Sequence, residues 1–155
     1  MDARGARRLK FPCKVWPNVN HPAFPDEPYH WAPLVNVRLV YQHSAPTKWV
    51  EAWVDSGADC CIFHADLCKP LGIKLQSGIR EDLGGIISGP KMPMYFHKGI
   101  KIQIGTEMIE ITAAFCPGLS GAGVLGRRGF FERFVVKIDS SAHPPYCELE
   151  KIHRA

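Results

Sequence analysis

The residues best suited to chemistry form the segment Trp53-Val54-Asp55-Ser56-Gly57-Ala58-Asp59, where large apolar side chains meet an acid, a hydroxyl and a glycine. A strand ending at Val54 fixes the backbone of Asp55 and is expected to leave its side chain partly buried. A carboxylate held in that way can act as a general acid or base. Gly57 lets the backbone approach another group closely. Ser56 can hydrogen-bond across an interface or orient its neighbour. Asp-Ser-Gly is also an ordinary turn sequence, so the segment alone does not define an activity. A second segment lies far downstream, Gly123-Val124-Leu125-Gly126-Arg127-Arg128-Gly129-Phe130-Phe131. Here a short apolar strand meets a glycine and an arginine before a turn.

Other chemistries compete with this one. Cys60, Cys61, His64 and Cys68 fall within nine positions, and zinc favours such ligands. Their spacing fits no common finger, and Cys60-Cys61 beside a strand end suits small buried thiols. No metal is therefore expected. A thiol nucleophile at Cys60 or Cys116 with a distant histidine is a weaker alternative. The six cysteines, Cys13, Cys60, Cys61, Cys68, Cys116 and Cys147, are expected to be free thiols in a reducing compartment. The chain is long enough not to need disulfide staples.

These residues need elements to position them. Leu34 to Tyr41 alternates in the manner of a half-buried strand. His43 to Lys48 is a turn, and Trp49 to Val54 is the next strand, which delivers Asp55. Ala65 to Lys69 reads as a short helix stopped by Pro70 and Gly72. Leu83 to Pro90 contains Gly84, Gly85 and Gly89 and reads as a mobile loop or hairpin tip. Met92 to His97, Ile100 to Ile104 and Met108 to Phe115 read as three strands. Gly129 to Phe134 is a second helix candidate, followed by a strand at Phe134 to Ile138 and a closing strand within 146–152. Many short strands with little helix predict a small all-β barrel with one or two short helices.

Ahead of this body, residues 12–33 contain Pro12, Pro17, Pro22, Pro25, Pro28 and Pro33. Proline lacks the donor that helices and central strands need, so residues 1–32 are expected to be an extended basic, Pro-rich arm. Trp16, Phe24, Tyr29 and Trp31 suggest that it packs on the domain formed by 33–155.

Composition limits the remaining options. The chain has 155 residues, 46% hydrophobic and 22% charged, an ordinary mix for one globular domain. The net charge of +4 lies in the first 14 residues, where Arg4, Arg7, Arg8, Lys10 and Lys14 face only Asp2. The neutral body is no basic surface for nucleic acid, and the short basic terminus reads as solvated. No apolar run is long enough for a membrane helix, and the amino terminus has no apolar core of a secretory signal. A soluble cytoplasmic protein with no nucleic-acid or membrane partner is expected.

In this order and at this spacing, the two segments resemble the retropepsin-like aspartic proteases, over about Pro33 to Asp139. Val54-Asp55-Ser56-Gly57-Ala58 fits the strand ending in Asp-Thr/Ser-Gly-Ala. Leu83-Gly84-Gly85-Ile86 fits the flap, and Val124-Leu125-Gly126-Arg127 fits the later apolar-apolar-Gly-Arg segment. Phe130, Phe131 and Phe134 with Val135 to Asp139 look like the cellular, non-viral members. The resemblance implies a retropepsin-like acid protease barrel with Asp55 as the catalytic aspartate. Ser56 would link the two active-site loops, and Asp59 would pair with Arg127. Leu83, Gly84, Gly85 and Ile86 would close over a protein or peptide substrate. No cofactor is implied. Ile87-Ser88-Gly89-Pro90, the arm and Cys60-Cys61 depart from the family pattern.

Peptide hydrolysis by this route needs two carboxylates sharing one proton. The chain contains one Asp-Thr/Ser-Gly sequence, and Ile138-Asp139-Ser140-Ser141 lacks the glycine. The resemblance therefore implies a C2 homodimer with Asp55 from each subunit on the axis, acting as an aspartic endopeptidase. The rival is a catalytically silent dimeric module that keeps the fold to hold a peptide. The intact Asp55-Ser56-Gly57 and Arg127 favour the enzyme.

Overall fold

A closed barrel positions the Asp55 segment. The computed structural model describes residues 7–84 and 89–153 and is mostly β, with 52% strand and 7% helix. Strands β4 (Leu34–Tyr41), β5 (Val50–Val54), β6 (Cys61–His64), β8 (Met92–Ile104), β9 (Glu107–Cys116) and β10 (Gly123–Leu125) follow one another round the wall in the order β4-β5-β10-β6-β9-β8. Pairing of β4 with β8 closes it, with Val37 opposite Ile104 and Leu39 opposite Ile102. β7 (Ile79–Leu83) extends β8 as an antiparallel hairpin, Leu83 opposite Met92.

Alternation fills the interior. Val35, Val37 and Leu39 of β4 point inward with Ile100, Ile102 and Ile104 of β8 and Ile109 and Ile111 of β9. Phe63, Phe115, Phe130 and Phe134 complete the core and are all nearly or fully buried. Burying each such side chain stabilises by roughly 1.5–3 kcal/mol.

A three-stranded sheet of β1 (Arg8–Pro12), β12 (Tyr146–Lys151) and β11 (Phe134–Asp139), in the order β1-β12-β11, packs against the same core. Leu9 and Phe11 of β1 pack on the main core with Cys147 and Leu149 of β12. Residues 8–12, expected in an extended arm, are thus part of the domain's own sheet. The rest of that segment forms a hairpin of β2 (Lys14–Pro17) and β3 (Tyr29–Ala32), with Trp16 opposite His30. Pro12 and Pro17 each end an edge strand, where a missing donor costs little. The hairpin's base is anchored by the buried Cys13 and Ala32, but its four aromatics remain exposed rather than covered.

Three local expectations change. Met92 to Ile104 is one strand, with an irregularity between His97 and Ile100 where Gly99 adopts a positive φ of 75°. Helix α1 (Cys68–Leu71), preceded by a 3-10 turn over Ala65–Leu67, runs through Pro70 and ends at Gly72, whose φ is +70°. Proline is tolerated in a first turn, where its donor is not needed. Gly129 to Phe134 is not a helix: Gly129 to Arg133 is a set of turns, and Phe134 begins β11. Gly129 has φ +95°, outside the right-handed helical region. Among the described residues no helix is long and apolar enough to cross a membrane.

Candidate active site

Strand β10 runs between β5, to which it is parallel, and β6, to which it is antiparallel. The loop joining β5 to β6 carries Asp55 to Cys60, so both sides of that loop are braced by the residues following β10. The Asp55 N–H donates to the Leu125 carbonyl at 3.1 Å, the Arg127 N–H to the Ala58 carbonyl at 2.9 Å, and the Arg128 N–H to the Asp59 carbonyl at 2.9 Å. On the other flank, the Val54 N–H donates to the Pro33 carbonyl at 2.9 Å. Gly126 is flush against this loop. A Cβ there would run into the Cys60 carbonyl and lie 2.8 Å from the Ala58 carbonyl oxygen. Glycine is the residue that permits such a backbone crossing.

Within the loop, the Ala58 N–H donates to the Asp55 carbonyl at 3.2 Å, and the Gly57 N–H to Asp55 Oδ1 at 2.8 Å. A Cβ on Gly57 would sit 3.1 Å from that same oxygen. The Asp55 carboxylate is therefore fixed by its own turn. It is exposed, as are Ser56 and Gly57, which corrects the expectation of partial burial. The backbone is anchored in the wall while the side chain stands on the outer surface of the chain. Among the described residues the Ser56 hydroxyl makes no hydrogen bond.

Arg127 and Asp59 come together as the resemblance implies, with Arg127 Nη2 donating to Asp59 Oδ1 at 2.6 Å. That hydrogen bond, reinforced by the charges of Arg127 and Arg128, holds the Asp59 carboxyl below its ordinary value. Within one chain the pair is exposed, 56% and 69% for the two side chains.

The β7–β8 hairpin stands beside this loop and encloses a cavity of about 390 Å3 with it. Leu83 and Gly84 of the hairpin face Gly57, Ala58, Asp59 and Arg127 there. Gly85 and Ile86 lie outside the described residues. The floor is a small apolar cluster of Cys60, Ile62 and Met94, with Leu83 and Phe96 packed against it. Ile62, Met94 and Phe96 were not singled out by the sequence. The strand alternation could have placed Met94 and Phe96 on one face of β8.

The thiols lie inside the domain. All six cysteines are free and buried. Burial raises the Cys60 thiol and pushes Cys61 and Cys68 up to about 11, which keeps them protonated and poorly nucleophilic. Among the described residues no three histidine, cysteine, aspartate or glutamate side chains are grouped to hold a metal ion. His64 instead caps the turn after β6, its Nδ1 accepting from the Asp66 N–H at 3.1 Å.

No protein-family model matches the chain, and a search of curated proteins finds no match.

Proposed function

We propose that the protein is an aspartic endopeptidase that works as a homodimer, with Asp55 from each subunit forming the catalytic pair. The observation that carries this reading is the braced loop at Asp55. Strand β10 threads between the strands on either side, the Leu125, Ala58 and Asp59 carbonyls are all engaged, the Asp55 carboxylate is exposed, and Gly57, Ala58 and Asp59 of the same loop line a cavity walled by a hairpin. Such a site holds an acid in fixed geometry and leaves room for a chain segment next to it.

One carboxylate cannot complete the reaction. With two facing each other, like charges prevent both from ionising and the pair retains one proton. The ionised member takes a proton from a water between them as the water oxygen adds to the peptide carbonyl carbon. The protonated member gives its proton to the carbonyl oxygen. The resulting tetrahedral diol collapses as its proton passes through the pair to the amide nitrogen, and the C–N bond breaks. The Ser56 hydroxyls would link the two loops, and the exposed Arg127–Asp59 pair would be covered at the subunit boundary.

The test is Asp55→Asn. Asn Oδ1 can still accept from the Gly57 N–H, so folding should persist. Peptide cleavage should fall by at least about a thousandfold. Wild-type cleavage should rise as pH falls from neutral, because one paired acid must stay protonated. Cleavage by Asp55→Asn at the wild-type rate rules out the catalytic assignment. Peptide binding without cleavage by the wild type would leave the silent binding module in its place.

A further inference from the structure

The amino-terminal hairpin leaves the barrel beside Asp55 and carries an exposed apolar face. Leu34 stands opposite Trp53, and the Val54 N–H donates to the Pro33 carbonyl at 2.9 Å, so the hairpin departs one residue short of Asp55. Residues paired across two strands share a face. Lys14, Trp16, His30 and Ala32 therefore form one face of the hairpin, and Val15, Pro17, Tyr29 and Trp31 form the other. The first face is turned to the body. Ala32 is buried, Lys14 pairs with Glu51 at 3.7 Å, and Trp16 packs edge-on against Trp53 with ring centroids 5.5 Å apart. The second face holds no charge, and all four of its residues are exposed, with the Tyr29 and Trp31 rings edge-on at 6.0 Å. A two-stranded hairpin is marginal by itself, and a contiguous exposed apolar patch marks an interaction surface.

We infer that this outer face docks on a second copy of the chain, so that the β2–β3 hairpin clasps the dimer in which the Asp55 pair is completed. The inference rests on the homodimer reading. Alternation along β5 carries Trp53 and Asp55 to the same side of the strand, about 7 Å apart. Bringing two Asp55 carboxylates within hydrogen-bond reach sets the partner over that side, and the hairpin standing on Trp53 then lies against it. Area argues the same way. A stable dimer buries at least about 1,000 Å2, and its core is more apolar than ordinary surface. Ser56, Gly57, Asp59 and Arg127, round the Asp55 carboxylate, are exposed but small or charged and supply no such core. The outer face of the hairpin does. A bilayer also takes Trp and Tyr at its surface, but Asp26 and Glu27 follow Phe24 at the hairpin's tip, where two carboxylates oppose anionic headgroups.

Sedimentation equilibrium of the full chain tests this. Tyr29→Ser/Trp31→Ser should raise the dimer dissociation constant at least about tenfold. Val15→Lys, which puts a charge on the same face, should do likewise and covers the case of a poorly folded double variant. Tyr29→Phe/Trp31→Phe should stay close to wild type, and so should Val135→Ser, a change at an exposed residue of β11. Peptide cleavage by the weakened variants should fall on dilution and return at high protein concentration, because the catalytic pair is unchanged. A wild-type dimer whose dissociation constant is the same in folded Tyr29→Ser/Trp31→Ser and Val15→Lys overturns the clasp and spares the dimer. A wild-type dimer that these variants weaken but that cleaves no peptide keeps the clasp and removes catalysis. A wild type that stays monomeric removes both the clasp and the shared pair. Flotation with phosphatidylcholine–phosphatidylserine vesicles, lost in the variants, would then assign the face to a membrane.

Discussion

The Asp55 loop and the amino-terminal hairpin lie against the same strand, β5, and are held in opposite ways. The loop is braced by backbone hydrogen bonds to Leu125, Arg127 and Arg128, with Gly126 pressed against Cys60 and Ala58. The hairpin rests on a buried Ala32 at its base, an edge contact between Trp16 and Trp53, and an exposed Lys14–Glu51 ion pair. Backbone crossings leave few alternative positions, whereas side-chain edges and surface ion pairs, each worth little, leave many. The molecule thus pairs an acid on a backbone-braced loop with aromatics on a hairpin held by side-chain contacts.

Mutations should expose this contrast. Gly126→Ala should be the most damaging, because the added methyl meets backbone that cannot rotate away. About 3 kcal/mol of stability should be lost, read by denaturant unfolding, together with activity. Wild-type stability in that variant would mean the loop is not braced as described.

The amino-terminal segment should split into two halves with different costs. Phe11→Ala removes a ring packed on the core and should cost about 2 kcal/mol. Deleting residues 1–32 should therefore lower the melting temperature clearly, through loss of β1 rather than of the hairpin. An unchanged melting temperature with higher activity would instead make the segment inhibitory and removable.

The Arg127–Asp59 pair should have the smallest effect on the isolated chain, since both side chains are exposed. Arg127→Ala should scarcely move the melting temperature of dilute monomer but should weaken self-association, measured by sedimentation. The pair also fixes a pH dependence. Asp59 is held below its ordinary value of 3.8 by Arg127, so its contribution is present above that pH and is lost as pH falls through the lower folded value. The small stability difference between wild type and Asp59→Asn at neutral pH should therefore vanish in acid. A difference that grows on acidification contradicts the pairing.

Much of this contrast was legible in the sequence, and unevenly so. β4, β5 and β9 show in local alternation, and Asp55, Gly57, Asp59, Gly126 and Arg127 show as two motifs, because each depends on neighbours close in the chain. The pairing of β1 with β12 joins opposite ends of the chain and leaves no local signature beyond Leu9 and Phe11 alternating with charged residues. The aromatics of the arm suggest packing, but nothing in their spacing shows that Trp16 meets Trp53 while all four stay exposed. Gly129 to Arg133 forms turns where the sequence suggests a helix. The glycine's left-handed backbone, which decides the matter, is a property of conformation and not of pattern.

Subunit mixing tests directly whether two copies share one catalytic pair. Wild type and Asp55→Asn are unfolded and refolded together in equal amounts, with exchange verified by a mass-tagged subunit. Random closed pairing leaves about one quarter of dimers wild type in both halves. If each site needs Asp55 from both subunits, activity should fall to about that quarter of an equal total of wild-type protein. Retention of about half after proven exchange would mean that each chain works alone, and the shared dyad would be wrong.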